Sequence, residues 1–231
     1  MRFPAFFDAV PRLRVHDPLA AILGSVEDGV FEYGYADVVS FAGHSCPTVA
    51  GTYWLTWLAL ARLYPHSLPQ RGGIRVEFRD NTRDGSTGVV ASVVQMLTGA
   101  AGDCGFKGIA GRHSRVGLQQ FSPDLPLSLR FSRLDNGAAV DAGADLHLPP
   151  PDAALSALLR RCASGAADVH ELSELGTRWQ QRVKHLLLDL AHDPGVFLVR
   201  PVERRPVAPS PQGTVAASAT LTQAGACRRT A

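Results

Sequence analysis

The chain has 231 residues, a formal net charge of +2 and 45% hydrophobic residues, which excludes wholesale disorder. Its length suits a domain that can bury enough apolar surface to fold without disulfide staples. Only 19% of the residues are Asp, Glu, Lys or Arg, so a strongly basic nucleic-acid surface is not expected, and any such patch would be local.

The 23 basic residues are almost all arginine, with lysine only at Lys107 and Lys184. Genome composition explains such a bias, so arginine positions carry little information and Lys107 carries slightly more. Near the N-terminus Pro4, Asp8 and Pro11 interrupt the apolar residues, and no signal peptide is expected. The longest apolar stretch, residues 49–63, is short of the roughly 20 residues needed to span a bilayer. The expectation is a soluble, cytoplasmic protein with no membrane or nucleic-acid partner.

Residues 1–15 read as an irregular lead-in with one helical turn. Asp17-Pro18 then predicts a short helix to Leu23, with Asp17 as cap, Pro18 at the first helical position and Gly24 as the stop. Residues 31–38, FEYGYADV, alternate aromatic residues and predict a strand that runs on to Phe41. GHSCP follows, and then a helix over residues 48–64 that is apolar almost all round and belongs in a core. Residues 73–79 alternate Ile74, Val76 and Phe78 with Arg75, Glu77 and Arg79, the pattern of a half-buried strand.

Ser86 or Thr87 can cap a second buried helix over residues 88–97. Residues 99–111 form a glycine-rich connector. Residues 127–134 and 138–148 predict an antiparallel pair around Asp135-Asn136-Gly137, because Asn-Gly supplies positive φ at low cost. Helices are expected over 152–163 and 169–191, the second with a stripe from Leu172 through Trp179 and Val183 to Leu190. A last strand is expected at 196–199, and a disordered tail over 204–231. The reading is an α+β fold, with a mostly antiparallel sheet packed on long buried helices, in one domain over residues 1–200.

The sharpest chemical signal is Gly43-His44-Ser45-Cys46-Pro47. Residues two apart in extended backbone point the same way, so the imidazole of His44 and the thiol of Cys46 converge. Pro47 suits the first helical position, which makes Cys46 the cap, where the helix dipole favours a thiolate. Thiolate with imidazole suits zinc, with copper, nickel or iron as other options. The plain structural alternative is a small buried cysteine and a satisfied core histidine. The cysteines, at positions 46, 104, 162 and 227, form no CxxC pair and no readable zinc ribbon.

Here the sequence resembles the formylmethanofuran dehydrogenase E-like family. GHSCPTVAGTYWLTWLALARLY is similar to that family's HGHxCPG motif and long helix, and TGAAGDCGFKG to its later TGCTxGK segment. The resemblance spans residues 17–120, with residues 152–193 as a helical addition. It implies an α+β domain, often a homodimer, with a metal-capable Cys/His cleft and a setting in one-carbon or redox metabolism. His44 and Cys46 match the motif directly. Ala42, Thr48 and Ala100 stand where the family tends to have His, Gly and Cys, and the Cys-rich zinc tail of some members is missing.

Zinc needs more than two ligands. The remaining candidates are His16, Asp17, Asp84, Asp103, Cys104 and His113, with His16 and Cys104 preferred. If the protein is an enzyme, Cys46 and Lys107 are the catalytic candidates. Glycines at positions 99, 102, 105, 108 and 111 surround Lys107 and offer a backbone cradle for a small anion, although neither nucleotide fingerprint is present. The competing reading is a non-catalytic metal chaperone, assembly factor, or pterin or small-anion binding module. The substrate or ligand is a small molecule that the sequence does not identify.

Overall fold

A computed structural model describes residues 2–122, 124–147 and 153–203. The element order is β1 (Leu13–His16), α1 (Pro18–Ile22), β2 (Val30–Tyr33), α2 (Tyr35–Ala42), α3 (Pro47–Leu63), β3 (Ile74–Phe78), α4 (Thr87–Thr98), β4 (Gln119–Phe121), β5 (Leu129–Arg133), β6 (Ala139–Ala144), α5 (Ala153–Ala163), α6 (Val169–Lys184) and β7 (Phe197–Pro201). A 3-10 turn, Ala5–Ala9, precedes β1. A π-helical turn, His185–Asp189, continues α6. Helices and strands share the chain as an α+β fold. Strands β1 and β2 form an antiparallel pair, and the main sheet runs β4-β3-β5-β6-β7. Its pairings are antiparallel except for β3 with β4. No helix among the described residues is long and apolar enough to cross a membrane.

Helix α3 sits at the centre. Val49, Ala50, Tyr53, Trp54, Ala59 and Leu60 on it are buried, but Ala61 and Arg62 are exposed, so it has an outer side that its composition hid. The buried Trp54 indole donates to the Ala191 carbonyl at 2.6 Å. The Tyr53 hydroxyl donates toward the carbonyls of Pro11 and Tyr33. At the C-terminal end, Arg133 donates to the Leu63 carbonyl and lies 4.0 Å over the Tyr64 ring, which satisfies a carbonyl the helix leaves open.

The strand expected over residues 31–38 divides in two. Only Val30–Tyr33 is extended, and Tyr35–Ala42 is helical. Asp37 accepts from the Gly34 amide at 2.7 Å and starts the helix there. Tyr35, Val38 and Val39 then fall on one buried face, so the aromatic alternation also fits helical spacing. Strand β1 lies at the end of the expected irregular lead-in, and β4 in a segment for which no element was expected. Each is short, and each is defined by its partner: Val15 faces Phe31, and Gln119 faces Val76. The hairpin at residues 135–137, the β3 alternation and the Asp17 cap form as expected, with Asp17 accepting from the amides of Leu19 and Ala20. The expected stripe of α6 is buried only from Val183 onward, since Leu172 is exposed. The expected tail, 204–231, and Cys227 within it lie outside the described residues.

Asp17 also joins three distant segments. Its two carboxylate oxygens take Arg115 at 2.7 Å and Arg71 at 2.8 Å. Burial raises the Asp17 carboxyl, but the Arg71 hydrogen bond, the two guanidinium charges and the Ala20 amide outweigh it and hold the group below its usual 3.8. The ionised form therefore favours the fold. Its contribution is present above the unfolded value and is lost as pH falls through the folded one. Asp17→Asn should lose about 3–5 kcal/mol of stability at pH 7, because it leaves the arginines without their carboxylate. Denaturant unfolding at pH 7 and at pH 3 checks this: the variant should lose less on acidification than wild type does.

Candidate functional site

Two sequence features place the candidate site at the head of α3. Gly43 closes α2 in the left-handed region, φ 77°, so the chain reverses without a Cβ penalty. Pro47 then opens α3, and Cys46, extended at φ −147°, caps it by accepting from the Val49 amide at 3.5 Å. The imidazole of His44 lies above this turn. Its Nδ1 is 3.0 Å from the Ala42 carbonyl and its Nε2 is 3.3 Å from Cys46 Sγ. A carbonyl only accepts, so Nδ1 carries the proton and Nε2 faces the sulfur.

Helix α6 holds this turn from outside. The Trp179 indole donates to the Ser45 carbonyl at 3.0 Å, and the Gln180 amide reaches the same oxygen. Ser45 Oγ donates to Gln180 Oε1 at 3.0 Å, which leaves the Tyr35 hydroxyl to donate to Ser45 Oγ at 2.9 Å. Burial pushes the Tyr35 hydroxyl up. The Ser45 hydrogen bond opposes that rise and a charge on Cys46 adds to it, so Tyr35 stays a neutral donor.

Cys46 borders a cavity of about 490 Å³ between the heads of α3 and α4, the end of β6, and helices α5 and α6. Thr48, Ser86, His147, Ser156, Trp179 and Arg182 are among its polar lining, and Leu146 and Leu155 among its apolar lining. Leu146 packs against α3 at Gly51, where any side chain would overlap its methyl groups. A deeper hollow of about 160 Å³ shares Thr48, Ser86 and Leu146, and reaches Asp80 and Phe78. Ser86 caps α4 with no side-chain bond to the helix.

The structure brings together His44 and Cys46, and leaves the other expected residues elsewhere. His16 ends β1 half-buried, beside Gly29 and Gln70. Cys104 is exposed on the rim of a different hollow, with Asp17, Arg71 and Arg115 on its wall. Lys107 is exposed in the glycine-rich loop, as are Asp84 and Asp103 in their own turns, and His113 is half-buried. Among the described residues no group of three or more His, Cys, Asp and Glu side chains converges as a metal site would. Sequence reasoning missed Trp179, Gln180 and Ser86 as parts of the site. Trp179 was legible only as one member of an apolar stripe.

Comparison with protein-family models and with curated proteins finds no match to this chain.

Ser45→Ala should cost about 1–3 kcal/mol, since it strands the buried Tyr35 hydroxyl and removes the Gln180 bond. Equilibrium unfolding measures the loss. In the same variant Cys46 should be alkylated faster, because its turn is less firmly held.

Proposed function

We propose that the protein binds a transition metal, zinc first, through Cys46 Sγ and His44 Nε2, at the edge of the cavity that Cys46 borders beside α3. One observation carries this reading: the 3.3 Å separation of sulfur and Nε2, with Nδ1 tied to a backbone carbonyl. Zinc at about 2.3 Å from sulfur and about 2.0 Å from nitrogen, in a tetrahedral angle, separates the two donors by about 3.5 Å. The pair is therefore spaced for chelation with a shift of a few tenths of an ångström. A histidine ligand with its second nitrogen on a carbonyl is also the arrangement that fixes the metal-binding tautomer.

The donor set fits a soft divalent metal, but these two side chains fill only half of a tetrahedral shell. The other two positions remain for water, a small-molecule ligand, or donors from a second copy of the chain. When bound, the metal supplies Lewis-acid polarisation of an oxygen ligand. The chain's part is to hold the imidazole by Ala42, to hold the turn by Trp179 and Gln180, and to shape the cavity by Leu146 and Leu155. The resemblance of GHSCP and its helix to the formylmethanofuran dehydrogenase E-like family supports the same reading, together with a homodimer and a role in one-carbon or redox metabolism. Cys46, Cys104 and Cys162 are unpaired, which suits a reducing compartment such as the cytoplasm.

A second reading, a metal carrier with no turnover, is favoured by the exposure of His44 and by the two-ligand count, since such a site releases metal readily. Cys46→Ser and His44→Ala separate metal binding from background. Chelated wild type should take up one equivalent of zinc or cobalt(II), with a thiolate charge-transfer band for cobalt. Both variants should lose the stoichiometric metal while keeping the wild-type unfolding midpoint. Retention of metal by both would overturn the assignment. Slow release to a competing chelator would count against the carrier reading.

A further inference from the structure

A second hollow, remote in sequence from Cys46, has the makings of a binding site. It measures about 400 Å³ and lies between α1, the end of α4 and the glycine-rich loop. Its charged wall holds two guanidiniums, Arg71 and Arg115, against one carboxylate, Asp17. Asp17 is fully engaged, since its oxygens accept from both arginines and from the amides of Leu19 and Ala20. The wall therefore keeps one uncompensated positive charge.

That excess is built in. The Arg115 side chain is 8% exposed, and its Nη1 is buried with no hydrogen-bond partner. A buried guanidinium donor left unpaired is costly. Two glycines clear the space for this side chain, and a third lies against its backbone. A Cβ at Gly72 would lie 2.5 Å from Nη1, one at Gly99 would overlap it outright, and one at Gly105 would crowd the Arg115 backbone. Gly72 and Gly99 also sit in the left-handed region, at φ 80° and 72°. Arg71 lies nearer solvent, a quarter exposed, with two of its nitrogens on the Met96 carbonyl and one on Asp17. Leu19, Leu23, Phe31 and Phe106 supply apolar surface to the same hollow. Leu23 and Phe106 are 60% and 44% exposed, as the sides of an open slot would be.

We infer that this hollow binds a small carboxylate with an apolar body, its anionic end at Arg71 in front of the buried Arg115 charge and its body between Phe31, Leu23 and Phe106. Arg71 makes the direct contact. Arg115 acts from behind, as a fixed positive charge in a water-poor wall, where it counts for more than at the surface. The site is independent of the Cys46 pair and stands or falls without it.

Cys104 on the rim is the reporter. The full-length chain is alkylated with iodoacetamide in the presence of benzoate, benzamide or inorganic phosphate, and each cysteine is followed by peptide mass. Benzoate should protect Cys104 in a saturable way, by about tenfold at ten times its Kd. Cys162 should react at an unchanged rate. Benzamide, of the same shape without the charge, should not protect. Arg71→Gln should weaken benzoate about tenfold or more. Phe106→Ser, in an exposed loop, should weaken it while the unfolding midpoint stays at the wild-type value. Cys46→Ser should leave protection intact, which separates this site from the metal site. No protection by benzoate, equal protection by benzamide, protection by phosphate alone, or full protection in both Arg71→Gln and Phe106→Ser would each overturn the inference.

Discussion

Pro47 has no amide hydrogen, a fixed φ, and a ring that disfavours helical backbone at the residue before it, so α3 begins there with Cys46 as its cap. The rest of the architecture is arranged around that start. From it, α3 runs for 17 residues through the core, with the main sheet, α4 and the π-helical turn packed around it. Its head receives the GHSC turn, and its tail receives Arg133 from β5. The cap also sets the chemistry: a sulfur that must reach the Val49 amide is held where the His44 imidazole meets it.

Asp17 plays a comparable part on the other side of the molecule. As a cap it starts α1, and as a counter-ion it gathers Arg71 from before β3 and Arg115 from before β4. Arg71 continues the link to α4 through the Met96 carbonyl. One carboxylate therefore fixes the positions of four segments. The two centres hold different groups: a sulfur and an imidazole beside a cavity that Cys46 borders, and two arginines with one carboxylate in a hollow that Leu23 and Phe106 also line.

Local chemistry was legible in the sequence wherever one or two neighbours decide the conformation. Asp17-Pro18, Cys46-Pro47 and Asn136-Gly137 each fix a backbone turn, and IRVEF shows its two faces by alternation. The approach of His44 to Cys46 was legible for the same reason, since it spans two residues. Illegible features depend on distant partners. β1 has four residues and β4 three, and each is a strand only because β2 or β3 lies beside it. The residues 31–38 satisfied two periods at once, and Asp37 on the Gly34 amide decided between them. The Asp17–Arg115 pair spans 98 positions. In a chain where nearly every basic residue is arginine, nothing marked Arg115 as the buried one. The discounting of arginine misled on this point, because Arg71, Arg115, Arg130 and Arg133 all make specific ion pairs. Trp179 and Ser45 meet across 134 positions for a like reason.

The π-helical turn after α6 has a consequence for how the chain can change. Its Leu190 amide reaches back five residues to the His185 carbonyl, so the segment carries one residue more than an α-helix would use there. On either side lie two fixed anchors: Trp179 and Gln180 on the Ser45 turn, and the Ala191 carbonyl on Trp54. Removing one residue within the turn would let the helix run on regularly with both anchors near their present facing, whereas adding one more would turn one anchor about 100° relative to the other. Both could not then dock at once. The π-helical turn therefore stores one residue of slack between the core and the Cys46 turn.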